Sequence, residues 1–215
     1  KNRNGYIYPN SDQAASVLDA LRFETEHLGI QTVLSCHIKN ARKAKSGMFT
    51  VESDQGLFQG NSLILAAGSK AAPVSGSDGS GYDLAKSFGH PIIKPLPALV
   101  QLRCPEKFFK QIAGVRADAS VILYSDGRKL AEDKGEVQLT DYGISGIPVF
   151  QVSRFAARAL DEGRDVRAVL NFYPECPETE TRRILKERSE RLKERQGEDF
   201  FSGWVHKKLA ALFFK

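Results

Sequence analysis

Apolar positions near the start of the chain follow the period of a helix. Between residues 14 and 28 they recur at spacings of three and four, which places them on one face. Asn10 or Ser11 stands where a residue could cap the helix. Gly29 follows the last apolar position, as glycine often does just past a helix end. The pattern therefore predicts an amphipathic helix that ends before residue 30.

The next forty residues change to patterns typical of strands. The segment 30–38 predicts one strand, and 48–53 with 56–60 predict a short hairpin. The segment SLILAAG, residues 62–68, is a continuous apolar run that stops at glycine. Such a run is typical of a strand buried on both faces of a parallel sheet. Together with the preceding helix, these elements indicate an α/β unit.

From about residue 92 to 142 the pattern indicates a small, mainly antiparallel β domain. Four prolines between residues 91 and 105 leave room only for short or edge strands. Two β-rich runs then flank Asp126 and Gly127, a dipeptide favoured in tight primed hairpin turns. The segment 136–140 predicts one more strand.

The stretch LTDYGISGIPVFQVSRFAARAL, residues 139–160, combines a strand end, a glycine turn and a helix start. Gly143 and Gly146 permit unusual backbone angles, and Pro148 presets the first helical turn. The residues alone predict a structural turn here. A strand and two helices follow, the second of them predicted over 201–215.

Charge and composition narrow the class of protein without naming a function. The 215 residues carry a net charge of +5, but much of the excess lies in 181–195. There the basic residues alternate with Glu187, Glu190 and Glu194, which favours a solvated, ion-paired helix face over a nucleic-acid partner. No apolar run approaches the roughly 20 residues of a membrane span. We therefore expect neither a nucleic-acid nor a membrane partner.

Side chains that could carry chemistry are sparse. The three cysteines are far apart and the four histidines stand at no metal-ligand spacing, so we expect no metal site and a reducing, cytoplasmic location. The loop GSDGSG, residues 76–81, leaves two alternatives. Its glycines could expose backbone N–H groups to a phosphate, or it could be a flexible loop that leads into a helix.

Four segments, in this order and spacing, together resemble a known family. They are GYIYPNSDQAASVLDALR (5–22), LILAAGSKAAPVSGSDGSGYDLAKSFGH (63–90), PLPALVQL (95–102) and the stretch 139–160. The chain resembles the BaiN/YhiN-like family of NAD(P)/FAD-dependent oxidoreductases, also described as aminoacetone-oxidase-like flavoproteins. The resemblance implies an FAD-dependent oxidoreductase with a small-molecule substrate that it does not name, and NAD(P)H as a possible redox partner.

The same resemblance implies a mixed α+β and α/β architecture. Residues 1–90 would form part of a FAD-binding, Rossmann-like domain. Residues 91–215 would form an inserted, small antiparallel β-barrel-like domain with a helical segment at about 175–215. The remaining partner would be the rest of the parent FAD domain.

The resemblance also implies residues beside the cofactor, while it assigns no catalytic residue. The apolar run would pass close to FAD, although the family usually ends it Ala-Thr-Gly-Gly and this chain has two other residues there. The segment that leads toward the flavin would be near residue 8. The implied cofactor residues are Ala66, Ala67, Gly68, Ser69, Tyr8, Pro9 and Ser11.

The glycine turn at 140–146 would, by the same resemblance, hold the inserted domain against the FAD domain near the substrate opening. The implied residues of this seam are Asp141, Tyr142, Gly143, Ser145 and Gly146.

A GxGxxG turn, which receives the pyrophosphate in such flavoproteins, is not found in these residues. We therefore expect the chain to be an internal piece of the enzyme that does not hold FAD tightly and is not active alone. The rival interpretation is a non-catalytic module for substrate recognition or protein interaction. Its surface would combine the basic helix with an aromatic cluster of Phe200, Phe201, Trp204, Phe213 and Phe214.

Overall fold

A computed structural model of the protein describes residues 1–3, 5–71, 73–192 and 197–214. Two compact units divide the chain, Lys1–Ile92 and Ile93–Lys215. Both units combine helices with antiparallel strands, so the expected mixed fold class is confirmed. The assignment of the units to a partial FAD-binding domain and an inserted domain stays a prediction.

The described residues of the first unit form two α-helices and two small antiparallel sheets. Its elements are β1 (Asn2–Arg3), β2 (Tyr6–Ile7), α1 (Ala15–His27), β3 (Ile38–Lys43), β4 (Phe49–Ser53), β5 (Gly56–Gly60), a 3-10 helix (Pro73–Ser75) and α2 (Gly81–Ser87). β1 pairs with β2, and β4 lies between β3 and β5. The predicted hairpin is therefore confirmed as β4 and β5, with a third strand added beside it.

Helix α1 starts later than predicted, and its apolar face is exposed. Its N-cap residue is Ala14, which makes no side-chain capping bond, so neither Asn10 nor Ser11 caps it. Gly29 adopts a φ of +62° just past the helix end, as predicted. The apolar side chains of the helix and its C-cap that are more than half exposed are Val17, Leu18, Leu21, Phe23 and Leu28.

The strand predicted over 30–38 is wrong, because side chains occupy backbone groups that a strand ladder would use. The His37 amide donates to Asp54 Oδ1 at 3.0 Å. Gln55 Nε2 donates to the Ser35 carbonyl at 2.9 Å, and Ser35 has a φ of +52°. β3 consequently begins only at the last residue of the predicted segment.

The buried parallel strand predicted over 62–68 is also wrong. Ile64 is 88% exposed, and Gly68 turns the chain with a φ of +76°. A parallel strand takes its backbone hydrogen bonds from neighbours on both sides. The described strands of this unit pair antiparallel with one another and leave this segment outside their sheets.

The second unit is built on one five-stranded antiparallel sheet. Its elements are β6 (Leu102–Arg103), α3 (Phe109–Ile112), β7 (Arg116–Ser125), β8 (Arg128–Thr140), β9 (Gly143–Ser145), α4 (Ile147–Asp161), β10 (Val166–Asn171), α5 (Glu178–Arg191), a 3-10 helix (Gly197–Phe201) and α6 (Lys207–Phe213). The strand order is β10-β7-β8-β9-β6. The sheet curls into a half-barrel with two edges, so it is not a closed barrel.

The predicted hairpin of this unit is confirmed as β7 and β8. Asp126 and Gly127 both have positive φ, at 49° and 76°, which is the backbone of a primed two-residue turn. The separate strand predicted over 136–140 is wrong, because it is the second half of β8. Gly135 stays in the ladder opposite Ala119, and the pairing continues without a turn.

The core of the second unit lies between this sheet and its helices. Alternate residues of β7 and β8 point inward, as do residues at helical spacing on α4. Burial of each such aliphatic side chain contributes about 1.5–3 kcal/mol. The fully buried members include Val121, Leu123, Val137, Leu139, Ile144, Val149, Val152 and Ala156.

Helix α5 confirms the predicted ion-paired, solvated face. Arg182 lies 2.6 Å from Glu178, and Arg183 lies 2.6 Å from Glu180. No residue of this helix is buried. Residues 193–195 of the predicted block lie outside the described residues.

The last helix is shorter than predicted. It begins at Lys207 instead of residue 201, and the preceding segment is a 3-10 helix and a turn. His206 ends the turn and caps α6, since its Nδ1 accepts from the Lys208 amide at 3.2 Å. That side-chain cap fixes the helix start.

Candidate functional site

Two glycine turns of the first unit pack closely against each other. A Cβ added at Gly68 would lie 2.7 Å from Ser77 Oγ, and one added at Gly81 would lie 3.0 Å from the Ala67 Cβ. Ser77 Oγ also donates to the Ser69 carbonyl at 2.6 Å. The implied cofactor residues 67–69 are thus held by the loop that leads into α2.

In that loop, GSDGSG, a side chain of the loop itself accepts from a backbone N–H group that a phosphate would need as a donor. The Asp78 carboxylate accepts from the Ser80 amide at 2.9 Å. The hydrogen bonds from Ser80 hold the pKa of Asp78 below its usual value. The Lys70 side chain lies where a Cβ at Gly79 would be. This geometry favours the alternative of a structural loop over a phosphate loop.

The remaining implied cofactor residues lie in a second segment whose bonds are local. The Tyr8 amide donates to the Lys1 carbonyl at 2.8 Å, and the Pro9 carbonyl accepts from the Asp12 amide at 3.1 Å. The hydroxyl of Ser11 lies 2.5 Å from a serine hydroxyl five residues later. These bonds stay within ten or so residues and do not by themselves bring the segment to 66–69.

The implied cofactor residues at 66–68 have the exposure and the small side chains that one wall of a flavin site requires. Ala66, Ala67 and Gly68 are exposed, and they carry either a methyl group or no side chain. Their backbone is therefore open to a planar ring from one side. A cavity of about 380 Å³ in this unit is lined by residues from 37–40 and 80–87, and none of the implied cofactor residues lines it. They fit one wall of a cofactor site and do not enclose it.

The implied seam residues divide into an exposed pair and a packed set. Asp141 and Tyr142 form the turn between β8 and β9 and are exposed. The Arg103 guanidinium lies 5.9 Å from the centre of the Tyr142 ring. The Tyr142 carbonyl accepts from the Cys104 amide at 2.9 Å. A role of these residues in holding two domains together stays a prediction.

Gly143 and Gly146 are fixed by close backbone approach within the second unit. Gly143 has a φ of +144°, and a Cβ there would lie 2.8 Å from the Cys104 amide nitrogen. Gly146 has a φ of +111°, and a Cβ there would collide with the Glu136 carbonyl oxygen. Between them, Ser145 pairs with Gln138 in the sheet. The predicted structural turn is confirmed for these two glycines.

An apolar cavity of about 810 Å³ lies between the half-barrel sheet and its helices. Every strand of the sheet contributes to it, together with α3, α4 and α6. Its apolar wall includes Leu102, Phe109, Ile112, Leu123, Leu139, Ile144, Ala156, Leu160, Ala168, Leu170, Leu209 and Phe213. This cavity was not predicted from the sequence, because nothing in the pattern of apolar residues shows that they leave a space.

Polar groups of this cavity are few. Arg167 pairs with Asp165, Nε to Oδ2, at 3.2 Å. Cys104 also lines the space, and burial together with the nearby Glu106 carboxylate raises the pKa of its thiol. Arg103 completes the set. The cavity is thus an apolar container with a small polar set at its wall.

The aromatic cluster packs largely on itself. The Phe201 ring is 5.0 Å from Phe200 and 5.6 Å from Phe213, measured between ring centres, and 6.2 Å from Trp204. Trp204 in turn lies 5.1 Å from Tyr173. These contacts give the cluster a packing role between α6 and the end of β10. Its use as an interaction surface stays a prediction.

Within the described part of the chain, no group of three acidic, histidine or cysteine side chains is placed to hold a metal ion. No described helix is both long enough and apolar enough to cross a bilayer.

Comparison with known proteins identifies the class of this fold. The sequence model of the family described as HI0933-like protein Rossmann domain matches residues 1–203. The chain therefore belongs to this family, which confirms the resemblance inferred from its segments. Among the described residues the strand pairs are antiparallel, so the parallel sheet of a Rossmann domain is not formed by them.

Individual relatives support the same membership. The chain is 41% identical over 209 residues to the 3-dehydro-bile acid delta(4,6)-reductase of Clostridium scindens, covering 97% of this chain and 51% of that protein. It is 24% identical over 147 residues to the ribosomal RNA dihydrouridine synthase of Haemophilus influenzae and 26% to that of Escherichia coli, in each case over 36% of the relative. The chain spans about half the length of the first relative and about a third of the other two.

Proposed function

We propose that the chain belongs to a flavin-dependent reductase that saturates a carbon–carbon double bond conjugated to a carbonyl group. The supporting observation is the 41% identity, over nearly the whole chain, to a protein named as a reductase of 3-dehydro-bile acids at delta(4,6). The names of the other relatives describe dihydrouridine formation, which also saturates a bond conjugated to a carbonyl. The shared feature is this bond and not the rest of the substrate.

A bound FAD would supply the hydride for such a reaction, with NAD(P)H as its proposed source. The residues that would lie against FAD are those implied by the resemblance. Ala66 and Ala67 present exposed small side chains, and Gly68 presents its backbone. Ser69 is held by the hydroxyl of Ser77, which keeps this wall in place. The segment of Tyr8, Pro9 and Ser11 is proposed as a second, separate contact.

These 215 residues are proposed not to retain FAD alone, because the wall at 66–69 is open to solvent. After incubation with FAD and desalting, the protein should show no oxidised-flavin absorption band while its circular dichroism spectrum remains that of a folded protein. A retained band would refute this proposal and would leave the proposed reaction untouched.

The reaction itself is tested with FAD in excess, so that weak binding does not limit it. The whole enzyme to which these residues are proposed to belong is mixed with NADH or NADPH and a 3-oxo-4-ene steroid, because the 215 residues are not expected to be active alone. Loss of the ultraviolet absorption of the enone is followed. We expect consumption of the enone at a rate that depends on protein and on flavin. No consumption with either nicotinamide would count against the reductase.

The proposed location is the cytoplasm, which suits the three free thiols of Cys36, Cys104 and Cys176. Fractionation of cells that produce the protein tests this assignment.

A further inference from the structure

We propose that the apolar cavity of the half-barrel binds the ring system of a rigid, polycyclic carboxylic acid, with the carboxylate of the ligand at Arg103. The choice of ligand rests on the proposed function, whereas the site rests on the geometry of the second unit alone.

The size and wall of the cavity fit such a ring system. Its volume of about 810 Å³ lies within the range of roughly 300–1,000 Å³ that small-molecule sites occupy. Leu123, Leu139 and Ile144 form its floor and are at most 1% exposed, so they leave no free surface to a ligand. The free apolar surface of the wall comes from Leu160, Val169 and Phe213, which are 59%, 46% and 48% exposed. A fused hydrocarbon ring buries apolar surface against them without stranding a polar group.

The same wall does not suit a uracil base. A base is recognised by hydrogen bonds to its edge, and each unpaired polar group of a buried base costs free energy. The polar side chains of the cavity are Arg103, Cys104, Glu106, Asp165 and Arg167. All of these except Cys104 are charged and exposed, so they do not offer hydrogen bonds to a base in the buried part of the cavity.

Arg103 is the cation at this wall that is available to an acid. Among the described residues, no carboxylate lies within ion-pair distance of its guanidinium, which lies beside the Tyr142 ring instead. Arg167 is already paired with Asp165 at 3.2 Å. Glu106 is the unfavourable charge, since its carboxylate lies on the same wall. The charge pattern thus makes opposite predictions for substitutions of Arg103 and Glu106.

Cys104 offers a direct measurement of occupancy. Its half-buried thiol lines the cavity, whereas Cys36 lies in the first unit and Cys176 lines two other cavities. The protein is alkylated with iodoacetamide, with and without saturating 3-oxo-4-cholenoic acid below its micelle concentration. Mass spectrometry then gives the rate at each cysteine. We expect at least fivefold slower alkylation at Cys104 and unchanged rates at the other two.

Two substitutions test whether the ligand lies inside the cavity. Ala168 is an exposed residue of edge strand β10 that lines the cavity, so Ala168→Trp should block it and abolish the protection of Cys104. Arg128→Trp adds the same side chain at an exposed strand position outside this cavity and should keep the protection.

The carboxylate is tested with the matched methyl ester of the probe. Arg103→Gln should weaken binding of the acid roughly two- to fivefold, as expected for an exposed ion pair, and leave the ester unchanged. Glu106→Gln should tighten binding of the acid and not of the ester. Equal effects on acid and ester would overturn the assignment of Arg103.

Three results would overturn the site itself. These are no protection of Cys104 by the acid or the ester, equal protection in Ala168→Trp, or protection by a uridine-containing oligoribonucleotide instead of the steroid. Binding is measured without flavin or nicotinamide. A failure here therefore leaves the reductase assay as a separate test of the proposed function.

Discussion

Replacement of Gly146 by alanine tests whether the turn before α4 is set by packing inside the second unit. Gly146 has φ 111° and ψ 165°, a backbone region that is essentially restricted to glycine. A Cβ at this position would also collide with the Glu136 carbonyl oxygen and lie 3.2 Å from the Val137 Cα. Both obstacles are backbone atoms of β8, so no side-chain rotation relieves them.

The expected loss follows from these two effects. A non-glycine residue in this region costs about 1–3 kcal/mol, and overpacking against a fixed neighbour costs about 1–3 kcal/mol more. Gly146→Ala should therefore lower the free energy of unfolding of the second unit by about 2–6 kcal/mol. That is a large share of the roughly 5–15 kcal/mol by which a domain is stable.

Gly127→Ala is the matched control. Gly127 also has a positive φ, 76°, but an added Cβ would meet nothing within 4 Å. This substitution should cost only about 1–2 kcal/mol, the price of a left-handed alanine. Urea unfolding is followed by fluorescence of Trp204, the only tryptophan of the chain and part of the second unit. Equal losses for the two variants would refute the close-approach argument.

Three further predictions concern other parts of the second unit. Alkylation of Cys104 should reach half its maximal rate at a higher pH than alkylation of N-acetylcysteine, because burial and the Glu106 charge raise the pKa of its thiol; an equal or lower midpoint contradicts this. Arg188→Gln should speed hydrogen exchange in α6 more than Arg182→Gln does, because Arg188 donates to two backbone carbonyls just before that helix while Arg182 makes only a surface ion pair. Titration with an RNA hairpin at low and high salt should show no steep salt-dependent binding, because the arginines near the start of α5 are paired with glutamates; a steep slope would favour a nucleic-acid partner.

Local sequence patterns predicted the two hairpins and helix α4, because the residues that determine these elements lie within them. Asp126 and Gly127 specify a primed turn through their own backbone preferences. Pro148 and Gly146 specify the start of α4 in the same way. In each case the residues that carry the pattern also make the structure.

Two strand predictions were wrong, because whether these segments form strands depends on groups that lie elsewhere in the chain. The segment 30–38 is apolar enough for a strand, yet Asp54 and Gln55 satisfy its backbone from the following hairpin. The run 62–68 is typical of a buried strand, but a buried strand requires neighbours that the described sheets do not provide. The large cavity was missed for the same reason, since its wall joins residues from 102 to 213.

The sequence TDYGISG, residues 140–146, is best explained by the cavity that it helps to form. Gly143 allows the backbone of β9 to lie close to β6. Gly146 lies close to the backbone of β8, and α4 begins at the next residue. Ile144 lies between the two glycines, pairs with residues of both neighbouring strands, and forms part of the cavity floor. A larger residue at either glycine would push β9 outward and move that floor. Gly146→Ala should therefore reduce steroid protection of Cys104 even at temperatures where the variant remains folded, whereas Gly127→Ala should not.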